Sequence, residues 1–264
     1  LTWEAARICP EKTIIWQELT AHQRKMHELP SRFWHAVAAR WGMKRVRAVV
    51  PRSKPAYDFI CRYMPMAVDC VVDHGIDLDK FACSEAKKRQ FISSSQLIHR
   101  KNVDGIIRIF RDFHTLPGYA DVRLLIVGRG EEEGRLRQMV KDWALEDCVE
   151  FLGFLPRTEL NRHMRESMAL LVNTRRDLNM VSIPEAIVSG TPVLTNLEPA
   201  SAGYIRREGL GIACAAWGPD ELRQMVDGNA EFVRRCVAYR ERLSNVYSAR
   251  QFLEIREETS AVCR

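Results

Sequence analysis

From about residue 67 onward the chain alternates short apolar runs with amphipathic helical patterns, and this alternation restricts it to a parallel α/β architecture. Candidate strands are 67–72 (AVDCVV), 89–95 (RQFISSS), 122–127 (VRLLIV), 148–152 (CVEFL), 168–173 (MALLVN), 191–195 (TPVLT) and 211–214 (GIAC). Between them, Val103, Ile106, Ile107 and Phe110 form one helical stripe, and Leu136, Met139, Val140 and Trp143 form another. Strand–helix–strand units close right-handedly and place helices on both faces of a sheet, so the expected fold is a doubly wound, Rossmann-like parallel sheet. Two long helical stretches follow, near 219–227 and 230–257.

Residues 1–66 read differently, with strands near 12–16 and 46–50 and helices near 31–41 and 54–63. These are too few elements for a complete Rossmann domain and look like the tail of one. The chain opens on Leu1 rather than Met, so an earlier part is expected upstream. The expected division is 1–72 as a partial N-terminal α/β segment and 73–264 as the main domain.

The 264 residues are 46% hydrophobic and 28% charged, with no apolar run long enough to cross a bilayer and no visible signal peptide. Eight cysteines (9, 61, 70, 83, 148, 214, 236 and 263) lack paired or finger spacing, so reduced thiols in a cytosolic protein are expected rather than a disulfide framework or a zinc site. The net charge of +6 reads as a solvated, mildly basic surface. Its functional readings are attraction to nucleotide diphosphates or to an anionic membrane face. No basic run with interleaved aromatics points to nucleic acid.

The stretch 167–195, SMALLVNTRRDLNMVSIPEAIVSGTPVLT, reads as strand, polar loop, proline-started helix and strand. Asp177 lies in the loop and Glu185 in the first helical turn, seven residues between them. Both carboxylates fall near the C-terminal edge of the sheet, where open α/β proteins bind ligands, and a carboxylate there can accept two hydrogen bonds from the vicinal diol of a ribose or hexose. The bland alternative is a capping box over Ser182–Glu185, with Asp177 solvated beside Arg175 and Arg176.

The segment VRLLIVGRGEEEGRLRQMV carries Gly128, Gly130 and Gly134 in a G-x-G-x-x-x-G spacing. Glu131, Glu132 and Glu133 fill the first helical turn, where they suit the helix dipole but repel a pyrophosphate. A structural strand–helix turn is therefore expected. Lys101 and Asn102 open the helix at 102–113, an arrangement that suits an anion or, on local sequence alone, a solvated lysine beside an Asn cap.

Six segments occur in one order: VDHGIDLDKF, SSQLIHRKNVDGIIRIF, RLLIVGRGEEEGRL, VEFLGFLPRTELNRHM, NTRRDLNMVSIPEAIVSGTPVLTN and GLGIACAAWGPDELRQMV. Together they resemble the donor-binding, C-terminal domain of family 4 glycosyltransferases of the GT-B fold, over about residues 68–255. The resemblance implies that Glu185 binds the donor ribose and that Asp177, a family glutamate shortened by one methylene, lies near the donor sugar. It implies Lys101 at the diphosphate, Asn179, Met180 and Val181 approaching sugar and phosphate, and Gly153 and Phe154 in the nucleobase pocket. Gln96 stands where the family carries an arginine, and Leu178–Met180 replace a glycine-bearing loop. The final helix resembles the tail that crosses back onto the N-terminal domain in this fold.

The resemblance further implies retaining transfer of a sugar from a nucleotide-sugar to a glycan or lipid-linked acceptor. It implies no metal and no cofactor beyond the donor substrate, and a cytoplasmic location with peripheral contact at the inner membrane face. The competing expectation is a non-catalytic nucleotide-sugar-binding module or partner subunit. A GT-B sugar epimerase ranks below it, and a nicotinamide oxidoreductase is disfavoured by the three glutamates.

Overall fold

The computed structural model describes residues 8–17, 46–63, 70–177 and 179–261. The chain divides into two compact units, Leu1–Gly75 with Asn245–Arg264, and Ile76–Ser244.

In the first unit, β1 (Ile14–Gln17) and β2 (Ala48–Pro51) pair in parallel, with Ile14 opposite Ala48, and α1 (Lys54–Tyr63) follows. Both strands and α1 fall where the sequence pattern sets them. The helix expected at 31–41 lies outside the described residues. The strand expected at 67–72 is not formed at Cys70–Val72, and 67–69 lie outside the described residues. Val72 is nonetheless fully buried, and its carbonyl accepts from Trp16 Nε1 at 2.8 Å, so its apolar character serves packing rather than a ladder.

The second unit runs β3 (Lys88–Ser94), α2 (Val103–His114), β4 (Arg123–Val127), α3 (Glu133–Asp142), β5 (Val149–Gly153), α4 (Arg157–Glu166), β6 (Ser167–Val172), α5 (Ser182–Val188), β7 (Val193–Thr195), α6 (Ala202–Glu208), β8 (Gly211–Ala213), α7 (Pro219–Asp227) and α8 (Asn229–Tyr239). Its six strands are all parallel, in the order β5-β4-β3-β6-β7-β8. This is the doubly wound order, in which the chain direction across the sheet reverses between β3 and β6.

Successive residues of a strand face opposite sides of the sheet, and both sides here are covered. Phe91, Leu124, Ile126 and Leu171 join Phe110 and Phe113 of α2 in one core. Ile92, Leu125, Val127 and Leu170 join Ile183 and Ile187 of α5 in the other. The helical stripe Val103, Ile106, Ile107 and Phe110 is at most 3% exposed, as its 3.6-residue period requires.

The long helix expected over 230–257 is broken. After α8 a 3-10 turn at Arg240–Leu243 intervenes, and α9 (Asn245–Ala261) begins beyond Ser244. The cause is tertiary: Arg240 donates to the carbonyls of Val188, Leu78 and Phe81, and Ile76 N donates to Leu243 O at 2.8 Å. These bonds hold the chain in a turn that local sequence does not encode. Helix α9 groups with the first unit, where Ile255 packs with Ala48, Val50 and Val72, so 245–264 separate from the main domain to which the sequence division assigned them.

Lys87, just before β3, donates to Arg165 O at 2.7 Å and to Thr191 Oγ1 at 3.1 Å. Burial pulls its ammonium from the ordinary 10.5 down to about 8. Between those values the unfolded chain holds the extra proton, so stability rises with pH across that window. We expect the melting temperature to climb between about pH 8 and 10 in the wild type relative to Lys87→Met. Parallel profiles in the two proteins would show that burial costs the charge nothing.

Candidate functional site

The reversal between β3 and β6 opens a crevice at the C-terminal ends of these strands. The loop after β3 carries Lys101, and the loop after β6 carries Asp177. Their side chains meet there: Lys101 Nζ donates to Asp177 Oδ2 across 76 positions of sequence, and the two side chains are 10% and 14% exposed. Arg100 Nη1 stands 3.6 Å from the same oxygen. Asn179 N donates to Asp177 Oδ1 at 3.3 Å. Lys101 is thus a half-buried, paired cation rather than a solvated one.

Three further side chains lock these loops and carry no signal in the sequence. Arg175 reaches back to the carbonyl of His99 and, at 3.4 Å, to Asp104 Oδ2, while its amide donates to Arg100 O at 2.8 Å. Asp104, in the first turn of α2, reads locally as an ordinary helix-start acid, yet it is 8% exposed and faces Arg175, Arg108 and Arg135. Asn196, after β7, donates to Thr174 O at 2.6 Å. Apart from the Asp104–Arg108 pair within α2, each contact spans more than 20 residues of sequence, so no local pattern announces it.

Helix α5 buries Ile183, Pro184, Glu185, Ala186, Ile187 and Val188. Glu185 is the one ionisable group among them and is 9% exposed. The capping box does not form: the helix begins at Ser182, Val181 occupies the cap position, and no side chain caps the end. Starting one residue early, with Ser182 inside the helix, puts Glu185 past the position from which it can reach back. Its carboxylate accepts no hydrogen bond from a described residue, and burial raises its pKa, with Arg157 opposing weakly. Met180 is buried and Val181 is 42% exposed.

The glycine loop is structural, as the three glutamates suggest. Gly128 has φ +135, and a Cβ there would stand 1.8 Å from Ser95 O; one on Gly130 would stand 2.2 Å from Leu97 O. The backbone after β3 therefore occupies the space a pyrophosphate would need. Glu132 and Glu133 pair within their own helix, with Arg135 and Arg137.

Beside this loop lies a cavity of about 550 Å³ at the ends of β3, β4 and β5. Val127, Phe154, Leu155 and Leu160 form an apolar wall, and Ser94, Ser95, Gln96 and Arg129 a polar rim. Gly153, at φ +64, turns the chain so that Phe154, 74% exposed, stands at its mouth. The structure therefore joins Lys101, Asp177 and Asn179 directly and sets Gln96 and Phe154 around one cavity. Glu185 connects to the first group through the 177–182 loop. Arg129 escapes sequence reasoning because it sits inside a glycine motif read for its glycines alone.

A doubly wound sheet with a basic–acidic pair at its switch point and a neighbouring cavity is the arrangement in which open α/β domains bind ligands. Residues 77–227 match the family of glycosyl transferases group 1, and the chain belongs to that family. The amylovoran biosynthesis glycosyltransferase AmsK of Erwinia amylovora is 31% identical over 150 residues, covering 50% of this chain and 36% of that protein. The 2-deoxystreptamine N-acetyl-D-glucosaminyltransferase of Streptomyces fradiae is 25% identical over 174 residues, covering 60% and 41%. The chain thus matches well under half the length of these curated relatives.

Among solved structures, Anabaena HepE in complex with UDP superposes with a TM-score of 0.71 at 17% identity, covering 92% of this chain and 72% of that one. Sucrose-phosphate synthase from Thermosynechococcus elongatus gives 0.70 at 14% identity, covering 98% and 71%. At such identities the likeness is one of fold, and that fold is GT-B.

Proposed function

We propose that this chain carries the donor-binding part of a family 4 glycosyltransferase, which moves a sugar from a nucleotide diphosphate sugar to a glycan or lipid-linked acceptor with retention of configuration. The observation that carries the reading is Glu185, a 9% exposed residue whose carboxylate takes no hydrogen bond from a described residue, in the helix that follows the loop of Asp177, the partner of Lys101.

In this reading the cavity beneath Phe154 takes the nucleobase and Glu185 accepts the two ribose hydroxyls. The diphosphate draws Lys101 Nζ away from Asp177, which frees that carboxylate beside the donor sugar. As the glycosidic bond to phosphate breaks, negative charge grows on the leaving diphosphate, and the preorganised ammonium of Lys101 stabilises it without a metal. Asn179, Met180 and Val181 line the approach to the sugar and phosphate. The protein works on the cytoplasmic side, with peripheral contact at the inner membrane face. The likeness to a glycosyltransferase of amylovoran biosynthesis supports a glycan-like acceptor.

Replacing Lys101 with Met removes a charge-assisted contact to phosphate, worth about 1.5–3 kcal/mol, or roughly 10- to 150-fold in affinity for UDP or GDP. Calorimetric titration measures it. Equal affinity in wild type and Lys101→Met would remove Lys101 from the site.

A further inference from the structure

Among the described residues, Arg129 is the only ionisable side chain on the cavity wall. It is exposed, and no described residue accepts a hydrogen bond from its guanidinium. Its backbone is fixed, because its carbonyl accepts from Leu97 N at 2.9 Å and the preceding Gly128 N donates to Gly153 O at 2.8 Å. The side chain leans over the Gly153 turn, with Nε 3.7 Å from the position a Cβ on that glycine would take. A planar, permanently charged group thus hangs free over the opening of a cavity whose far wall is apolar.

The remaining polar groups of the cavity do not discriminate between bases. The hydroxyls of Ser94 and Ser95 and the amide of Gln96 each both donate and accept. The backbone of Phe154 and Leu155 offers both kinds of group, N–H that donates and C=O that accepts, with no hydrogen bond to a described backbone group. Arg129 alone is one-sided: guanidinium donates only and never accepts. A ring edge bearing a carbonyl satisfies it. An edge bearing an exocyclic amine sets donor against donor and forfeits the contact.

We propose that Arg129 sets the nucleobase specificity of this site, selecting a keto-bearing base, uracil or guanine, against cytosine and adenine. The proposal rests on the nucleotide reading of the cavity. UDP and CDP share charge, ribose, ring size and the C2 carbonyl and differ only along the N3–C4 edge, N–H and carbonyl in uracil against bare nitrogen and amine in cytosine, so their comparison isolates that edge; GDP and ADP repeat it at the N1–C6 edge of the larger ring, guanine adding a C2 amine, and whichever nucleotide with the C4 or C6 carbonyl binds more tightly identifies the base.

The experiment is calorimetric titration of the full chain with UDP, CDP, GDP and ADP, in wild type, Arg129→Met and Lys101→Met. Wild type is expected to prefer the better keto nucleotide over its amino counterpart by about tenfold or more, the range of one good edge contact. Arg129→Met is expected to bring that pair within about twofold by weakening the keto member alone. Lys101→Met is expected to weaken all the nucleotides that bind together and to preserve their ratio. A wild-type preference for CDP or ADP, an unchanged ratio in Arg129→Met, or an equal loss for keto and amino nucleotides in that variant overturns the proposal; the last would place Arg129 at the phosphates. Absence of binding by all four to wild type would instead overturn the nucleotide reading on which it stands.

Discussion

Gly128→Ala should unfold this domain far more readily than wild type, at a cost of ~3–5 kcal/mol and about 10 °C in melting temperature. Two independent penalties meet at this position. The backbone has φ +135, which an L side chain rarely adopts, and a Cβ would lie 1.8 Å from the Ser95 carbonyl. That carbonyl cannot retreat cheaply, because Ser95 N donates to Val127 O and the next amide, Leu97 N, donates to Arg129 O. The matching control is Gly134→Ala. Nothing stands within 4 Å of its added Cβ, and it lies inside α3, where alanine favours helix over glycine. Gly134→Ala should be neutral or stabilising by up to about 1 kcal/mol. Urea melts of the two variants measure the difference. Similar small effects at both positions would mean that the crossing of the β3 loop over Gly128 does not fix this turn.

The contrast shows which parts of the fold local sequence encodes. The strands of the main sheet and the α2 stripe are read from periodicity because both of their determinants, burial and hydrogen-bond geometry, repeat every two or 3.6 residues. The glutamates at 131–133 point to a structural glycine loop, and the close packing of Gly128 and Gly130 against the β3 loop agrees with that reading. What local sequence hides is set by contacts between distant segments. The Ser182–Glu185 box fails because buried packing of α5 fixes where the helix begins. The break at Arg240 depends on carbonyls of residues 78, 81 and 188. The Lys101–Asp177 pair requires the β3–β6 reversal, which follows from strand order and not from either loop. Val72 has strand-like composition but packs against Trp16 and Ile255 without joining a ladder.

Glu185 ties the site to stability, and its replacement with Gln should move the two in opposite directions. Glu185 is 9% exposed and its carboxylate accepts no hydrogen bond from a described residue, and the partial desolvation raises its pKa. Above the ordinary carboxylate range the folded state holds its proton longer than the unfolded one, so this group lowers stability as pH rises through that window. Glutamine keeps the shape and removes the ionisation. Glu185→Gln should therefore melt higher than wild type at pH 7, by ~1 kcal/mol or about 3 °C, and the gap should shrink as pH falls toward 4.5. The same substitution should weaken UDP or GDP binding by about tenfold or more, because a neutral amide oxygen accepts ribose hydroxyls less strongly than a carboxylate. A residue kept only for packing or capping would give the reverse: lower stability in Glu185→Gln and unchanged nucleotide affinity. Melts at pH 5 and 7 together with titration at pH 7 separate the two outcomes, since a buried carboxylate that destabilises the empty protein is retained only where a ligand supplies its missing donors.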